Sequence, residues 1–175
     1  MRIPAFVTAA TLAMLGTVTF AQNVTYDFDR TADFSSFKRY AWVRGTTVND
    51  PLNHKRIVGA VDAQLAMRGM TLVARDANPD VLVAYHASFD KNLQITGFSS
   101  GWGGYRFAGS RSGSARAEEI TVGTLAVDVV NATTGMIVWR GMATKDVDVN
   151  AKPEKRDKNI NKAAAKLFKN YPPKK

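Results

Sequence analysis

The chain has 175 residues, 45% of them hydrophobic and 22% charged, a composition that supports one packed core and excludes disorder along the whole length. It contains no cysteine, which excludes disulfides, zinc–thiolate sites, a cysteine nucleophile and a lipid-modified amino-terminal cysteine. Basic residues outnumber acidic ones by 24 to 15, but the excess is local, because nine basic residues and two acids lie from Lys152 onward.

Met1-Arg2 carries one positive charge, and Ile3 to Ala21 carries none. Thr19-Phe20-Ala21 places small residues where a signal peptidase reads, and polar Gln22-Asn23 follows. The pattern predicts a secretory signal over 1–21, cleaved near Ala21, and a periplasmic mature domain over 22–175. The rival is retention as a membrane anchor, since an uncharged run of this length nearly spans a bilayer. Pro4, Gly16 and four threonines dilute that run, and no basic stop-transfer cluster follows it.

Val24 to Phe28 alternates apolar and polar residues and reads as a strand, with a second over Arg39 to Val43. Gly45 to Pro51 reads as loop. Ile57, Val61 and Leu65 recur at four-residue spacing and predict a helix over Asn53 to Met67, with Gly69 at its carboxyl cap. Met70 to Val73 restarts as a strand, Ala77 to Asp80 turns, and Val81 to Phe89 reads as a central strand.

Gly97 to Arg116 is rich in glycine and serine and predicts a long loop. Phe98, Trp102, Tyr105, Arg106 and Phe107 punctuate it and are candidate binding residues, since exposed aromatics beside arginine stack on planar or sugar rings. Ile120 to Val130 and Met136 to Val147 form a hairpin closed at Gly135. Pro153 opens a last helix whose apolar stripe is Ile160, Ala164, Leu167 and Tyr171. At 100° per residue, Lys158, Lys162 and Lys169 fall opposite that stripe and form a second candidate contact surface. The order of elements predicts a single α+β domain, a mostly antiparallel sheet with two helices packed on one face.

The segment TLAVDVVNATTGMIVWRGMA, Thr124 to Ala143, resembles the closing hairpin of the bacterial envelope family known as domain of unknown function 4136. VTYDFDRTADFSSFKRYAW, AVDAQLAMRGM, NPDVLVAYH and NYPP agree with the same family and follow its order, from Val24 to Pro173. Asp128, Gly135, Trp139, Arg140 and Gly141 are the most specific part. Many relatives carry a lipobox cysteine that is lacking here. The resemblance implies a fold and an envelope address, and it brings no catalytic residues.

Gly97-Phe98-Ser99-Ser100-Gly101 matches a nucleophile elbow, but Trp102-Gly103-Gly104 after it cannot open the helix an elbow requires. His54 and His86 lack any metal-ligand spacing. Asp27 with Asp29, and Asp146 with Asp148, each put two carboxylates on one strand face, a pattern of solvated sheets more often than of calcium or acid–base sites. Asp128 and Arg140 predict a cross-strand ion pair. No catalytic residue, metal ligand or cofactor is assigned. The expectation is an exported, non-catalytic binding or accessory protein. Its partners would be anionic envelope components (lipid headgroups, lipopolysaccharide or glycan) or another envelope protein, and not nucleic acid. The alternatives are a hydrolase of envelope polymers or esters using Ser99 or an aspartate pair, and a structural module that recruits an envelope partner.

Overall fold

The computed structural model describes residues 23–96 and 116–174, with side chains described for 23–90 and 121–174. In chain order the elements are β1 (Asn23–Phe28), β2 (Arg39–Trp42), α1 (Pro51–Ala66), β3 (Thr71–Leu72), β4 (Val81–Thr96), β5 (Arg116–Asn131), β6 (Ile137–Val147) and α2 (Pro153–Leu167). A 3-10 turn at Phe168–Asn170 follows. The strands form one sheet in the order β1-β6-β5-β4-β2-β3. β1, β6, β5 and β4 pair antiparallel, while β2 runs parallel to β4 and β3. The α+β domain is as expected, though its sheet is mixed. A parallel neighbour needs a crossover, and α1 supplies the one between β2 and β4.

Alternation along the strands puts Val81, Val83 and Tyr85 of β4 on one face, beside Leu125, Val127 and Val129 of β5 and Trp139 and Ala143 of β6. All are buried, and they share a core with Ile57, Val61 and Leu65 of α1 and Leu167 of α2. Both helices therefore cover the same face of the sheet. The stripe Ile160, Ala164 and Leu167 lies on α2, whereas Tyr171 follows the 3-10 turn rather than the α-helix; Ala164, Leu167 and Tyr171 are buried and Ile160 packs half-buried against the core.

Helix α1 starts two residues before the expected Asn53. The Asp50 carboxylate accepts hydrogen bonds from the amides of Leu52 (2.9 Å) and Asn53 (3.2 Å), and Pro51 occupies the first turn, where a missing N–H costs nothing. At the other end, the Gly69 amide donates to Ala66 and the Met70 amide to Leu65, a Schellman closure with Gly69 at φ 77°. Asp62 of α1 accepts from the Tyr40 hydroxyl (2.7 Å) and the Trp42 indole (2.8 Å), which ties the helix to β2. Arg68 donates to the carbonyls of Tyr171 (2.7 Å) and Phe168, so the end of α1 holds the carboxyl end of the chain.

The central hairpin is longer than its apolar residues suggested. β4 runs to Thr96 rather than Phe89, and β5 begins at Arg116 rather than Ile120. An antiparallel ladder closes on backbone groups, so the polar run that begins at Asp90-Lys91 does not end it.

Candidate binding groove

β4 and β5 have 16 residues each and run about 53 Å at the usual rise of a strand. α1 and α2, with 16 and 15 residues, reach only about 24 Å. The helix layer cannot cover the sheet, and both helices begin over the uncovered end. There a groove of about 320 Å³ opens between the layers.

Its floor is two cross-strand rows, Ala87–Leu125–Ala143 and Phe89–Gly123–Lys145. Small side chains in the first row make depth. Ile57 of α1 and Ile160 and Ala163 of α2 form the walls, and Val147, Val149 and Ala151 close one side where β6 passes into α2. Phe89 and Val149 keep more than half of their surface exposed, at 52% and 56%, so the mouth is apolar as well as the floor.

Four charged residues line the groove: Asp50, Lys145, Asp148 and Arg156. Arg156 donates to the carbonyls of Ala151 (2.9 Å) and Val149 (2.8 Å) and lies 3.7 Å from Asp50. Asp148 accepts from Lys155 at 3.0 Å; that ammonium and then the Asn150 amide hold its carboxyl below the ordinary range. Lys145 differs. Its ammonium donates to the neutral Asn159 side chain at 3.0 Å, and no carboxylate among the described residues pairs with it. Among the lining residues there is no histidine, cysteine, serine or tyrosine, and Thr124 is the one hydroxyl. The two carboxylates of the lining are each paired with a basic side chain, Asp50 with Arg156 and Asp148 with Lys155. The groove is lined mostly by apolar side chains, with the Lys145 ammonium among them.

The residues singled out from the sequence do not form this groove. Phe98, Trp102, Tyr105, Arg106 and Phe107 lie outside the described residues, as do Ser99 and the segment 1–21. Lys158 and Lys162 are exposed on α2, and Lys169 is exposed on the 3-10 turn rather than on the α-helix itself. Lys145 and Asn159 were missed. The signal for Lys145 was its phase: Trp139, Gly141, Ala143, Lys145 and Val147 alternate onto one face, and a lysine there meets the helix layer.

The two histidines stand on opposite faces of the sheet. His54 Nδ1 is 2.6 Å from the Tyr85 hydroxyl, on the helix side. His86, the next residue on β4, accepts from the Thr46 amide at 3.1 Å through Nδ1 and places Nε2 3.4 Å from Asp128, on the other side. Asp27 and Asp146 lie within β1 and β6, while Asp29 and Asp148 lie one residue beyond their ends. Among the described residues no group of three potential ligands gathers for a metal ion, and no helix is long and apolar enough to cross a membrane. Asp128 and Arg140 form the expected cross-strand pair, with Nε–Oδ1 and Nη2–Oδ2 both at 2.6 Å.

A family model described as a domain of unknown function, DUF4136, matches residues 24–173. No curated protein matches the sequence. Among solved structures, a PDZ domain protein from Parabacteroides distasonis ATCC 8503 is similar at TM-score 0.60 and 17% identity. The match covers 88% of this chain, and this chain spans only 37% of that protein. A DUF4136 family protein from Bacteroides thetaiotaomicron VPI-5482 is similar at TM-score 0.52 and 15% identity, over 86% of this chain and 96% of the other. PelC from Paraburkholderia phytofirmans, a dodecamer, is similar at TM-score 0.52 and 11% identity, over 85% and 96%. At these identities the likeness is one of fold.

Proposed function

The chain belongs to the DUF4136 family, and from that membership and the groove we propose that it is an exported, non-catalytic binding protein of the bacterial cell envelope. The observation that carries the reading is a preformed apolar groove whose two carboxylates, Asp50 and Asp148, are already engaged by Arg156 and Lys155. The charged start, apolar run and small-residue exit over 1–21 support export. The test pairs binding with turnover. The folded protein should take up the anionic apolar dye anilinonaphthalene sulfonate saturably at one site, and should show no turnover of esterase, peptidase or glycosidase substrates. Turnover that resists further purification would replace this reading with the hydrolase.

The exposed lysines give a second contact. Lys158, Lys162 and Lys169 turn away from the core, and each ammonium near an anionic surface contributes on the order of 1 kcal/mol, lost as salt rises. Co-sedimentation with anionic phospholipid vesicles should be appreciable at low ionic strength and absent at high. Changing the three lysines to Gln should weaken it about a hundredfold, the loss of roughly 3 kcal/mol. Equal binding by parent and variant would reduce the stripe to a solvated face.

A further inference from the structure

We infer that the groove takes the tail of a single-chain anionic amphiphile, with its acidic head at Lys145; this deepens the binding reading above and rests on it. Charge points to an anion. Of the four charged lining residues, Asp50 faces Arg156 and Asp148 is bound by Lys155, so the protein compensates them itself. Lys145 is left with a neutral amide, and an acid entering beside it gains a charge-assisted hydrogen bond without displacing an existing pair.

Shape and backbone point to a hydrocarbon. The floor belongs to β4, β5 and β6; in the row Ala87–Leu125–Ala143, Leu125 pairs with both neighbouring strands, Ala143 lies between Leu125 and Val24, and the Ala87 amide donates to the Thr46 carbonyl. An extended peptide laid across Ala87, Leu125 and Ala143 would find no strand edge to pair with and would bury its own amides unpaired. An alkyl chain has no such groups. Among the described residues nothing closes the groove along the strands, so a chain lies in it lengthwise and its head remains at the rim.

The experiment is a binding series on the purified protein with octanoate, decanoate and dodecanoate, and with dodecanol. Affinity should rise about fourfold per added methylene until the groove is filled. Dodecanoate should bind at least several-fold more tightly than dodecanol. Lys145→Gln should keep the chain-length trend and lose the preference for the acid. Val149→Glu, at an exposed position of the mouth, should weaken every carboxylate more than the alcohol without changing the unfolding midpoint. Equal affinity for acid and alcohol in the parent, or an acid preference that survives in Lys145→Gln, overturns the inference. So does tighter binding of an apolar peptide than of any carboxylate. If the carboxylates fail while the dye still binds at one saturable site, the amphiphile is wrong and the binding function stands. If the dye fails too, both fall.

Discussion

Trp139→Ala is expected to lower stability by about 3–5 kcal/mol, the cost of truncating a large aromatic in a closed core. The ring is fully buried, stacks on Phe168 with centroids 5.1 Å apart, and meets Tyr171 edge-on at 5.2 Å. It joins β6 to the carboxyl end of the chain, which Arg68 holds from α1. The indole lies over Gly141: a Cβ there would sit 2.4 Å from the ring, and Leu167 closes the space at 3.0 Å. Gly141→Ala should therefore cost about 1–3 kcal/mol by overpacking, and in combination with Trp139→Ala it should cost less than on its own. Urea unfolding of the two single variants and the double variant measures this. Full additivity would show that the ring does not rest on the glycine.

Removing either partner of the Asp128–Arg140 pair should destabilise, but unequally. The Asp128 side chain is 5% exposed and that of Arg140 49%. Arg140→Met leaves a buried carboxylate with the His86 ring nitrogen Nε2 3.4 Å away and no guanidinium, at a cost of about 2–3 kcal/mol. Asp128→Asn leaves a half-exposed guanidinium that water can solvate, and costs about 1 kcal/mol. Arg140 is itself held in its charged form by the hydrogen bonds it donates to Asp128, which raise its pKa. Unfolding midpoints in urea compare the two variants directly. A larger loss for Asp128→Asn would mean that the pair does not shield the carboxylate.

Much of the fold was readable because local signals and burial agreed. Ile57, Val61 and Leu65 repeat on the helical period, and Gly69 and Gly135 sit where φ is positive. The residues that most resembled the family now have physical reasons: Asp128 and Arg140 pair across the hairpin, and Gly141 makes room for Trp139. The start of α1 was misplaced because Asp50-Pro51 was read as loop, although the pair is a cap followed by a first-turn proline. The ends of β4 and β5 were missed because apolar content stopped before backbone pairing did. The groove was not readable in the same way. It arises from a mismatch in length between sheet and helices, and from Gly123, Lys145 and Asn159, which lie far apart along the chain and carry no motif. The residues conspicuous in the sequence are instead the aromatics from Phe98 to Phe107 and the lysines of the last helix.

Binding in the groove is tested most directly by dye titration with the location of the dye read out. Titration of anilinonaphthalene sulfonate into the parent should saturate at one site, and the amide resonances of Ala87, Gly123, Leu125 and Lys145 should shift with the same midpoint. Val149→Glu should weaken both together. Saturable binding that leaves those four amides unmoved, or no saturable binding by the folded protein, would contradict it.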